Sequence, residues 1–377
     1  MVGKLIKRQT TEESCNVYDI EVKDNHNYFA NNVLVHNCKS SQSQQGKNLL
    51  KLTKAKYKVA ATGTLLVNCP TDCYVPLKWI EADNSTLTNF NAYYTVFGGA
   101  FHREVVGYKN TQYLQDQIQE ISLRRTKDIL GVAGETENGL PPKTIIHEYV
   151  DANDSQKKFY NNIVQGIVDE VDKVELNTAN VLSMITRLRQ ATACPSVLTS
   201  DPIESSKVLR ACDLVEQICS DPNNKVVIFT TFKQTANDLL QKLQKFNPLL
   251  NTGDVPDKII EQNILDFQNK DTNKVFIATW SKCGTGITLT RASYLIFVDC
   301  AWTEAQNNQS EDRIHRIGSK KPVFIYYLWM KDTFDERVKQ IVETKSALSN
   351  YIIDKQVPMQ LVDRLREVIL DLHQDLF

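Results

Sequence analysis

Short apolar runs alternate with helical patterns through the second half of the chain. Four of these runs are rich in β-branched and aromatic residues, which indicates buried strands. They lie at residues 225–230, 274–279, 294–299 and 323–328, and a shorter strand and turn runs from Leu249 to Gly253. Amphipathic helices are predicted from residue 206 onward, over 235–245 and over 257–267. This alternation predicts an α/β domain whose parallel sheet is covered by helices on both faces.

The region before this domain contains one strand and two long helical patterns. Residues 144–150 alternate as a strand, and helices are predicted over 154–174 and 180–193. Asp169-Glu170-Val171-Asp172 falls inside the first of these helices, so we interpret it as a solvated helix face rather than a nucleotide-site motif. A last helix, over 359–372, has no functional signature.

Earlier in the chain the pattern is more polar. Residues 39–47 indicate a loop, and a short helical pattern starts at Asn48. Residues 57–61 form an apolar strand that ends in Thr62-Gly63-Thr64. A polar turn of this kind is typical of the carboxyl edge of a parallel sheet.

Within the first 37 residues, strand patterns begin at Asn16. Tyr18, Ile20 and Val22 alternate with acidic residues, which predicts a half-buried strand over 16–22. Turn residues 23–27 follow, and then come a strand at Tyr28–Ala30, a tight turn at Asn31-Asn32 and a strand at Val33–Val35. A segment this small cannot bury a core of its own, so it must be part of a larger body.

Composition, net charge and cysteine content indicate what kind of protein this is. The chain has 377 residues with 42% hydrophobic and 24% charged, which is typical of a soluble protein of two or three domains. The net charge of −1 indicates that any contact with nucleic acid comes from local basic patches. The nine cysteines show no metal-site spacing and favour a reducing, cytoplasmic setting in a bacterium or a virus-infected cell. No signal peptide or membrane span is expected, and hence no membrane partner.

The residues around His36-Asn37-Cys38 resemble the C-terminal splicing block of inteins. The match is VYDIEV…NHNYFANNVLVHN followed by Cys38, with Asp24 and His26 in the turn. The Met start close to this junction resembles the C-terminal fragment of a split intein. The resemblance implies a short all-β, Hint-type fragment. Because nothing precedes Met1, it also implies a second polypeptide that carries the N-terminal intein fragment.

The residue types at this junction suit peptide-bond cleavage and transfer. The Cys38 thiol can accept an acyl group, and the Asn37 side-chain amide can attack its own carbonyl, which forms a succinimide and releases Cys38. His36 is placed to protonate the leaving amine. His26 resembles the second histidine of the splicing block, which assists the cyclisation. The alternative is that both histidines are ordinary strand and turn residues and that Asn37-Cys38 is a loop.

Several segments after Cys38 resemble the SWI/SNF-type ATPases of helicase superfamily 2. KSSQSQQGKNLLKL resembles the segment after the Walker B motif, ATGTLLVN resembles motif III with Leu65 at the usual proline, and LRRTKD…LPPK resembles the late first-lobe signature. MITRLRQATACP, CGTGITL and QSEDRIHRIG resemble later segments, the last two being motifs V and VI. The Walker A loop GxxxxGK[ST] is absent. Gly46-Lys47 does not belong to one, because the position of the first glycine is occupied by Ser41. The completed protein would bind ATP, Mg²⁺ and duplex or branched DNA.

The resemblance assigns phosphoryl-transfer roles within motif VI. Arg316 would be the arginine finger and Arg313 its partner, because fixed guanidinium groups stabilise charge that develops on a γ-phosphate. Their spacing of three would let both face a cleft from one helical turn, with Gln309 and Asp312 orienting them. The alternative is a helix with surface arginines. The other expected contacts are Gly284 and Gly286 for close backbone approach, and Thr64, Asn68, Lys233, Lys282 and Thr288 for DNA phosphates.

Together these patterns predict a precursor half with a mixed fold. An all-β intein fragment would precede two α/β RecA-like lobes with parallel sheets, the first incomplete and the second complete. The expected segments are 1–37 (intein fragment), 38–150 (first lobe), 151–205 (helical linker), 206–350 (second lobe) and 351–377 (helical tail).

Trans-splicing would join Cys38 to a chain that carries Walker A and Walker B, and would produce a DNA-dependent ATPase that translocates on DNA. The chain by itself would be inactive as an ATPase. Two alternatives remain open. One is a catalytically dead DNA-binding remnant that is never spliced, and the other is an artificial fragment of a contiguous intein-containing helicase.

Overall fold

The computed structural model forms two compact units, one up to Leu123 and one from Leu140 to Lys339. The residues it describes are 27–30, 33–36, 44–51, 58–60, 65, 69–98, 104–123, 140–171, 178–280, 287–301, 304–316 and 318–339. The strand expected at 16–22, the boundary expected at 350 and the helix expected at 359–372 lie outside them. Within the described part of the chain, no helix is both long and apolar enough to cross a membrane.

A three-stranded sheet opens the first unit. It contains β1 (Asn27–Ala30), β2 (Val33–His36) and β3 (Lys58–Ala60), in that order. β1 and β2 pair antiparallel on either side of residues 31–32, which confirms the two strands predicted there. β2 also pairs parallel with β3, with Val35 opposite Val59. β2 is thus the middle strand of a sheet that also contains β3, and the division expected at residue 37 stays a prediction.

Helices and a hairpin complete the first unit. They are α1 (Gln44–Leu49), α2 (Tyr74–Trp79), α3 (Leu87–Tyr94), β4 (Thr95–Gly98), β5 (Glu104–Tyr108) and α4 (Thr111–Ile121). α1 begins four residues before the expected position, in a stretch predicted as a loop, because glutamine and lysine are good helix formers. Thr86 caps α3 by accepting a hydrogen bond from the Asn89 amide at 3.2 Å.

The aromatic residues of α2 and α3 form the small core of this unit. Phe90 lies between Tyr74 and Tyr94, with ring centroids at 5.4 and 4.6 Å. On α4, the buried residues Leu114 and Ile118 are spaced four apart and so share one helix face. Packing of this face holds α4 in place, and no element was predicted over these residues.

The second unit is built around a six-stranded sheet. Its strands are β6 (Lys143–Val150), β7 (Val226–Thr230), β8 (Leu249–Asn251), β9 (Val275–Thr279), β10 (Tyr294–Phe297) and β11 (Val323–Met330). The order is β6-β11-β10-β7-β9-β8 and every pair is parallel. The parallel α/β sheet predicted from the apolar runs is confirmed.

Helices accompany this sheet in the described part of the chain. They include α5 (Asp154–Val171), α6 (Thr178–Ala193), α7 (Ser206–Ile218), α8 (Lys233–Lys242), α9 (Asp257–Asn269) and α10 (Glu304–Ile314). Alternate residues of β7 enter two separate clusters. Val227 and Phe229 lie in the cluster of α5 and α6, whereas Val226 and Ile228 lie in that of α7 and α8. Burial on both faces explains the continuous apolar run of this strand.

Val150, the last residue of the expected first lobe, ends a strand of the second unit's sheet. β6 pairs with β11 along its whole length, from Lys143 opposite Val323 to Val150 opposite Met330. α5 and α6 also belong to this unit, since Tyr160 and Met184 are buried in its core. The strand assigned to the first lobe and the helices assigned to a linker are thus parts of the second unit. Local periodicity identifies such elements but carries no information about their distant partners.

A buried ion pair provides a test of this core. Lys207 Nζ on α7 lies 2.6 Å from Asp335 Oδ2, with the side chains 1% and 6% exposed. The same carboxylate accepts hydrogen bonds from Thr192 Oγ1 at 3.0 Å and from the Met330 amide at 3.1 Å.

We expect Lys207→Met to lower the free energy of unfolding by about 3–5 kcal/mol, because it leaves a buried carboxylate without its cation. Urea denaturation measures the change. Lys245→Met is the control, since Lys245 pairs with Glu216 on the surface and should contribute less than about 1 kcal/mol. Equal changes in both variants would contradict the prediction.

Candidate functional site

The helix α10 carries most of the chemistry predicted from the sequence. Its composition is polar, yet Asn307, Glu311 and Ile314 are buried at the helical spacing of three to four residues. Gln309, Asp312 and Arg313 are only partly buried. The helix therefore turns its buried stripe towards the unit's core and leaves the side chains of the predicted site more accessible.

The two arginines of motif VI reach the same short segment. Arg313 Nη1 donates to the Ile287 carbonyl at 3.4 Å, and Arg316 Nη1 donates to Thr288 Oγ1 at 3.1 Å. The Leu289 amide donates to the Arg313 carbonyl at 2.8 Å, which fastens this segment to the end of α10. Two guanidinium groups and a hydroxyl are thereby collected in one place.

The geometry of Arg316 differs from the expectation of one shared helical turn. α10 ends at Ile314, and Arg316 lies in the bend that follows. Its amide donates to Ser319 Oγ at 3.2 Å, and the Ser319 amide donates back to its carbonyl at 2.9 Å. Gly318 has φ of 105°, a left-handed conformation that glycine adopts without strain. This turn, rather than the helix, sets the direction of Arg316.

A buried polar anchor fixes α10 to the sheet. Glu311 accepts hydrogen bonds from Lys143 Nζ on β6 and from Tyr327 Oη on β11, each at 2.7 Å. Burial, together with the neighbouring Glu311 carboxylate, raises the pKa of the Tyr327 hydroxyl far above its usual value, so the phenol stays protonated and donates. His315 Nε2 lies 2.8 Å from the Pro141 carbonyl. These contacts hold the arginine-bearing helix rigidly.

A second buried cluster lies at the carboxyl edge of the sheet. Asp299, just after β10, accepts hydrogen bonds from the Thr231 amide at 2.8 Å and from Thr230 Oγ1 at 2.5 Å. Arg189 of α6 lies 3.5 Å from the same carboxylate and donates to the Cys300 carbonyl at 2.6 Å. Burial raises the pKa of the Cys300 thiol to about 12, which keeps it protonated. The cluster ties α6 to the edge where open parallel sheets bind ligands.

Sequence reasoning missed both clusters. Glu311 and His315 stand inside the run QSEDRIHRIG, but no role was assigned to them. The available signal was spacing, because Glu311 falls on the same helix face as Asn307 and Ile314. Arg189 and Asp299 gave no comparable signal, since their contact joins residues 110 positions apart.

The structure describes only some of the remaining predicted site residues. Lys233 begins α8 and forms an exposed ion pair with Asp254 at 2.6 Å. His36 ends β2, and nothing more is described of its side chain. The predicted residues that lie outside the described part are His26, Asn37, Cys38, Thr64, Asn68, Lys282, Gly284 and Gly286. Among the described residues, no group of three metal-ligating side chains is present.

Two family models match the chain. Residues 33–197 match the SNF2-related domain, and residues 206–318 match the helicase conserved C-terminal domain. The first match begins at Val33, ahead of the boundary expected after residue 37, and so includes β2.

Curated relatives share these segments. The chain is 29% identical over 307 residues to an ATP-dependent helicase, MG018, of Mycoplasma genitalium, covering 79% of this chain and 28% of the relative. It is 32% identical over 181 residues to the ATP-dependent helicase fft1 of Schizosaccharomyces pombe, covering 46% and 19%. The chain thus spans less than a third of the length of these two relatives.

Solved structures show a similar fold. The C-terminal part of the Fun30 ATPase domain superposes with a TM-score of 0.50 and 21% identity, covering 62% of this chain and 99% of that one. The SWI2/SNF2 ATPase core domain of Sulfolobus solfataricus superposes with a TM-score of 0.50 and 24% identity, covering 89% and 69%. These similarities support RecA-like α/β lobes.

Proposed function

We propose that this chain is a SWI/SNF-type helicase-like protein and that it forms the C-terminal part of an ATP-hydrolysing motor that translocates on DNA, a proposal that the two family matches support. The observation that carries the proposal is the rigid placement of Arg313 and Arg316 beside residues 287–288. Guanidinium groups that are already oriented need no reorganisation when charge develops on a γ-phosphate.

The donor set suits a polyphosphate. Arg316 is the proposed finger on the transferred phosphoryl group, and Arg313 is its partner. Gln309 and Asp312 orient the two groups from α10, and Gly284 and Gly286 allow close backbone approach. ATP supplies the phosphoryl group and Mg²⁺ neutralises its charge when both are bound.

The proposed DNA partner is a duplex or branched molecule held through its backbone. The Lys233 side chain is exposed, and its surface ion pair with Asp254 contributes little to stability, so a DNA phosphate can replace the carboxylate. Thr288 already accepts a hydrogen bond from Arg316, which makes it a link between the arginine and any phosphate nearby. Thr64, Asn68 and Lys282 complete the proposed phosphate contacts, which carry no base specificity.

The proposed motor needs a Walker A loop that these 377 residues do not contain. We propose that protein splicing supplies it. The Asn37 amide nitrogen bonds to its own carbonyl carbon, the Asn37–Cys38 peptide bond breaks, and the leaving amine takes a proton from His36. Before that step, the Cys38 thiol attacks a thioester at the end of the incoming segment, which forms a branched intermediate on Cys38 and releases the thiol of the N-terminal intein fragment. His26 assists the cyclisation, and the freed Cys38 amine then takes the acyl group from its own sulfur, which forms the new peptide bond and restores the thiol. We predict that the incoming segment comes from a second polypeptide.

One observation favours a different function, an unspliced DNA-binding remnant. The family match begins at Val33, and β2 pairs with β3, so residues 33–36 behave as part of the SNF2-related unit. In that case the junction would never be cleaved and the chain would bind DNA without hydrolysing ATP.

An assembly experiment separates the two functions. We expect the chain mixed with a partner that carries an N-terminal intein fragment and the Walker A and B half to give a new peptide bond at Cys38, with residues 1–37 released. Mass spectrometry detects the bond, and DNA-stimulated ATP hydrolysis should appear only in the ligated product. The chain alone is the control and should show no hydrolysis. DNA-stimulated hydrolysis by the chain alone would refute the proposal, and an intact junction would favour the remnant.

A further inference from the structure

β2 belongs to two overlapping segments. The splicing signature includes Val33–His36 in the leader, whereas the SNF2-related match starts at the same Val33. In the structure, Leu34, Val35 and His36 pair parallel with Lys58, Val59 and Ala60 of β3. β3 is the strand that leads into ATGTLLVN. The short strand β2 therefore belongs both to the splicing signature and to the SNF2-related match.

The composition of β2 is typical of a strand that is covered on both faces. Val33-Leu34-Val35 is a continuous apolar run, the pattern of a strand buried on both faces. The predicted strand at 16–22 instead alternates apolar and acidic residues, the pattern of a half-solvated strand. A strand on the surface of a small β domain would not need a continuous apolar run.

The position of β2 in the chain points to what it replaces. The segment KSSQSQQGKNLLKL, directly after Cys38, resembles the segment that follows Walker B. The residues directly before Cys38 therefore stand where the Walker B strand would stand in chain order. Splicing at Cys38 exchanges those residues for the end of the incoming segment. β2 and the strand at the end of the incoming segment are both joined to Cys38, so they compete for the same edge of β3.

We propose that the edge of β3 that faces β2 is a receiving site for a single apolar parallel strand. The leader strand β2 occupies it in the precursor, and the Walker B strand of the joined segment takes its place after ligation. This inference rests on the proposed splicing function. Departure of the leader and completion of the nucleotide-binding half are then one strand exchange.

The size of the ladder is compatible with exchange. β2 and β3 pair over three residues only, and parallel pairing is the less stable kind per residue. An isolated pair of strands is marginally stable in water without further strands or packing. The leader can therefore cover the edge of β3 before splicing and still leave it when a longer strand is supplied.

A disulfide experiment tests the pairing in the full-length chain. Val35→Cys with Val59→Cys places two thiols on directly opposed positions, one strand spacing apart. Tyr28→Cys with Val59→Cys is the matched control, because Tyr28 lies opposite Val35 on the far side of β2 and two strand spacings exceed the reach of a disulfide.

After mild oxidation, peptide mapping by mass spectrometry distinguishes the engineered link from any that involve native cysteines. We expect about tenfold more 35–59 link than 28–59 link, because only the first pair satisfies disulfide geometry. Equal yields, or no 35–59 link, would overturn the inference whatever the chain does in splicing.

A second measurement tests the exchange. With the partner half added, the oxidised 35–59 variant should give no ligated product, and reduction should restore ligation to the rate of the unmodified chain. Ligation at an unchanged rate in the oxidised protein would overturn the exchange. If the unmodified chain itself fails to ligate, the splicing function fails, and the cross-link yields still decide whether β2 pairs with β3.

Discussion

Alanine at position 316 is expected to lower the ATP turnover of the assembled motor about 10³-fold or more, the range known for removal of an arginine finger. The reason is electrostatic. A guanidinium group held in a fixed position stabilises charge that appears on the γ-phosphate in the transition state. Steady-state ATP hydrolysis with saturating duplex DNA measures the effect on the ligated product.

The surroundings of Arg316 sharpen this expectation. The side chain is directed by the turn with Ser319 and reaches Thr288, and α10 itself is anchored through Glu311. Removal of the guanidinium group leaves that frame in place, so the loss should appear in turnover while the protein stays folded. Arg316→Lys should recover little, because an ammonium group cannot reproduce the planar fork.

Lys320→Ala is the matched control for this variant. Lys320 is an exposed cation four residues further along the same connection, and its removal should change turnover by less than about twofold, as expected for a surface charge outside the site. Near-normal turnover in Arg316→Ala would remove Arg316 as the finger. A similar loss in both variants would indicate a general charge effect instead.

Alanine at position 37 is expected to abolish release of residues 1–37. The side-chain amide is the nucleophile of the proposed cyclisation, and alanine offers no group that can attack the carbonyl. Intact-mass measurement after mixing with the partner half should show the leader still attached in every molecule. The branched intermediate at Cys38 should accumulate, since thiol transfer precedes the step that is blocked.

Asn25→Ala controls for the loss of an asparagine in the same leader. Asn25 falls among the turn residues predicted over 23–27 and has no part in the proposed chemistry. Its replacement should leave leader release unchanged. Release of the leader by the Asn37→Ala variant at the rate of the unmodified chain would show that another group cleaves the junction.

Part of this fold could be predicted because the signal is local. The strands of the second unit follow from continuous apolar runs such as Val226–Thr230, which only a strand covered on both faces can bury. The arginines of motif VI were also visible, because their spacing and neighbours lie within ten residues of sequence. The first unit between α2 and α4 was not predicted, since Phe90, Tyr94 and Leu114 belong to short elements that depend on one another for burial.

The sequence by itself determined the chemistry available at the junction and in motif VI, and it determined which stretches of the second unit become strands. Both are properties of adjacent residues. Only the tertiary structure decided that β6 joins the second unit, that Glu311 is anchored by Lys143 across 168 positions, and that the junction strand β2 pairs with β3. The physical reason is that a strand edge or a buried carboxylate selects its partner by proximity in the folded chain, and residue order along the sequence does not encode that distance.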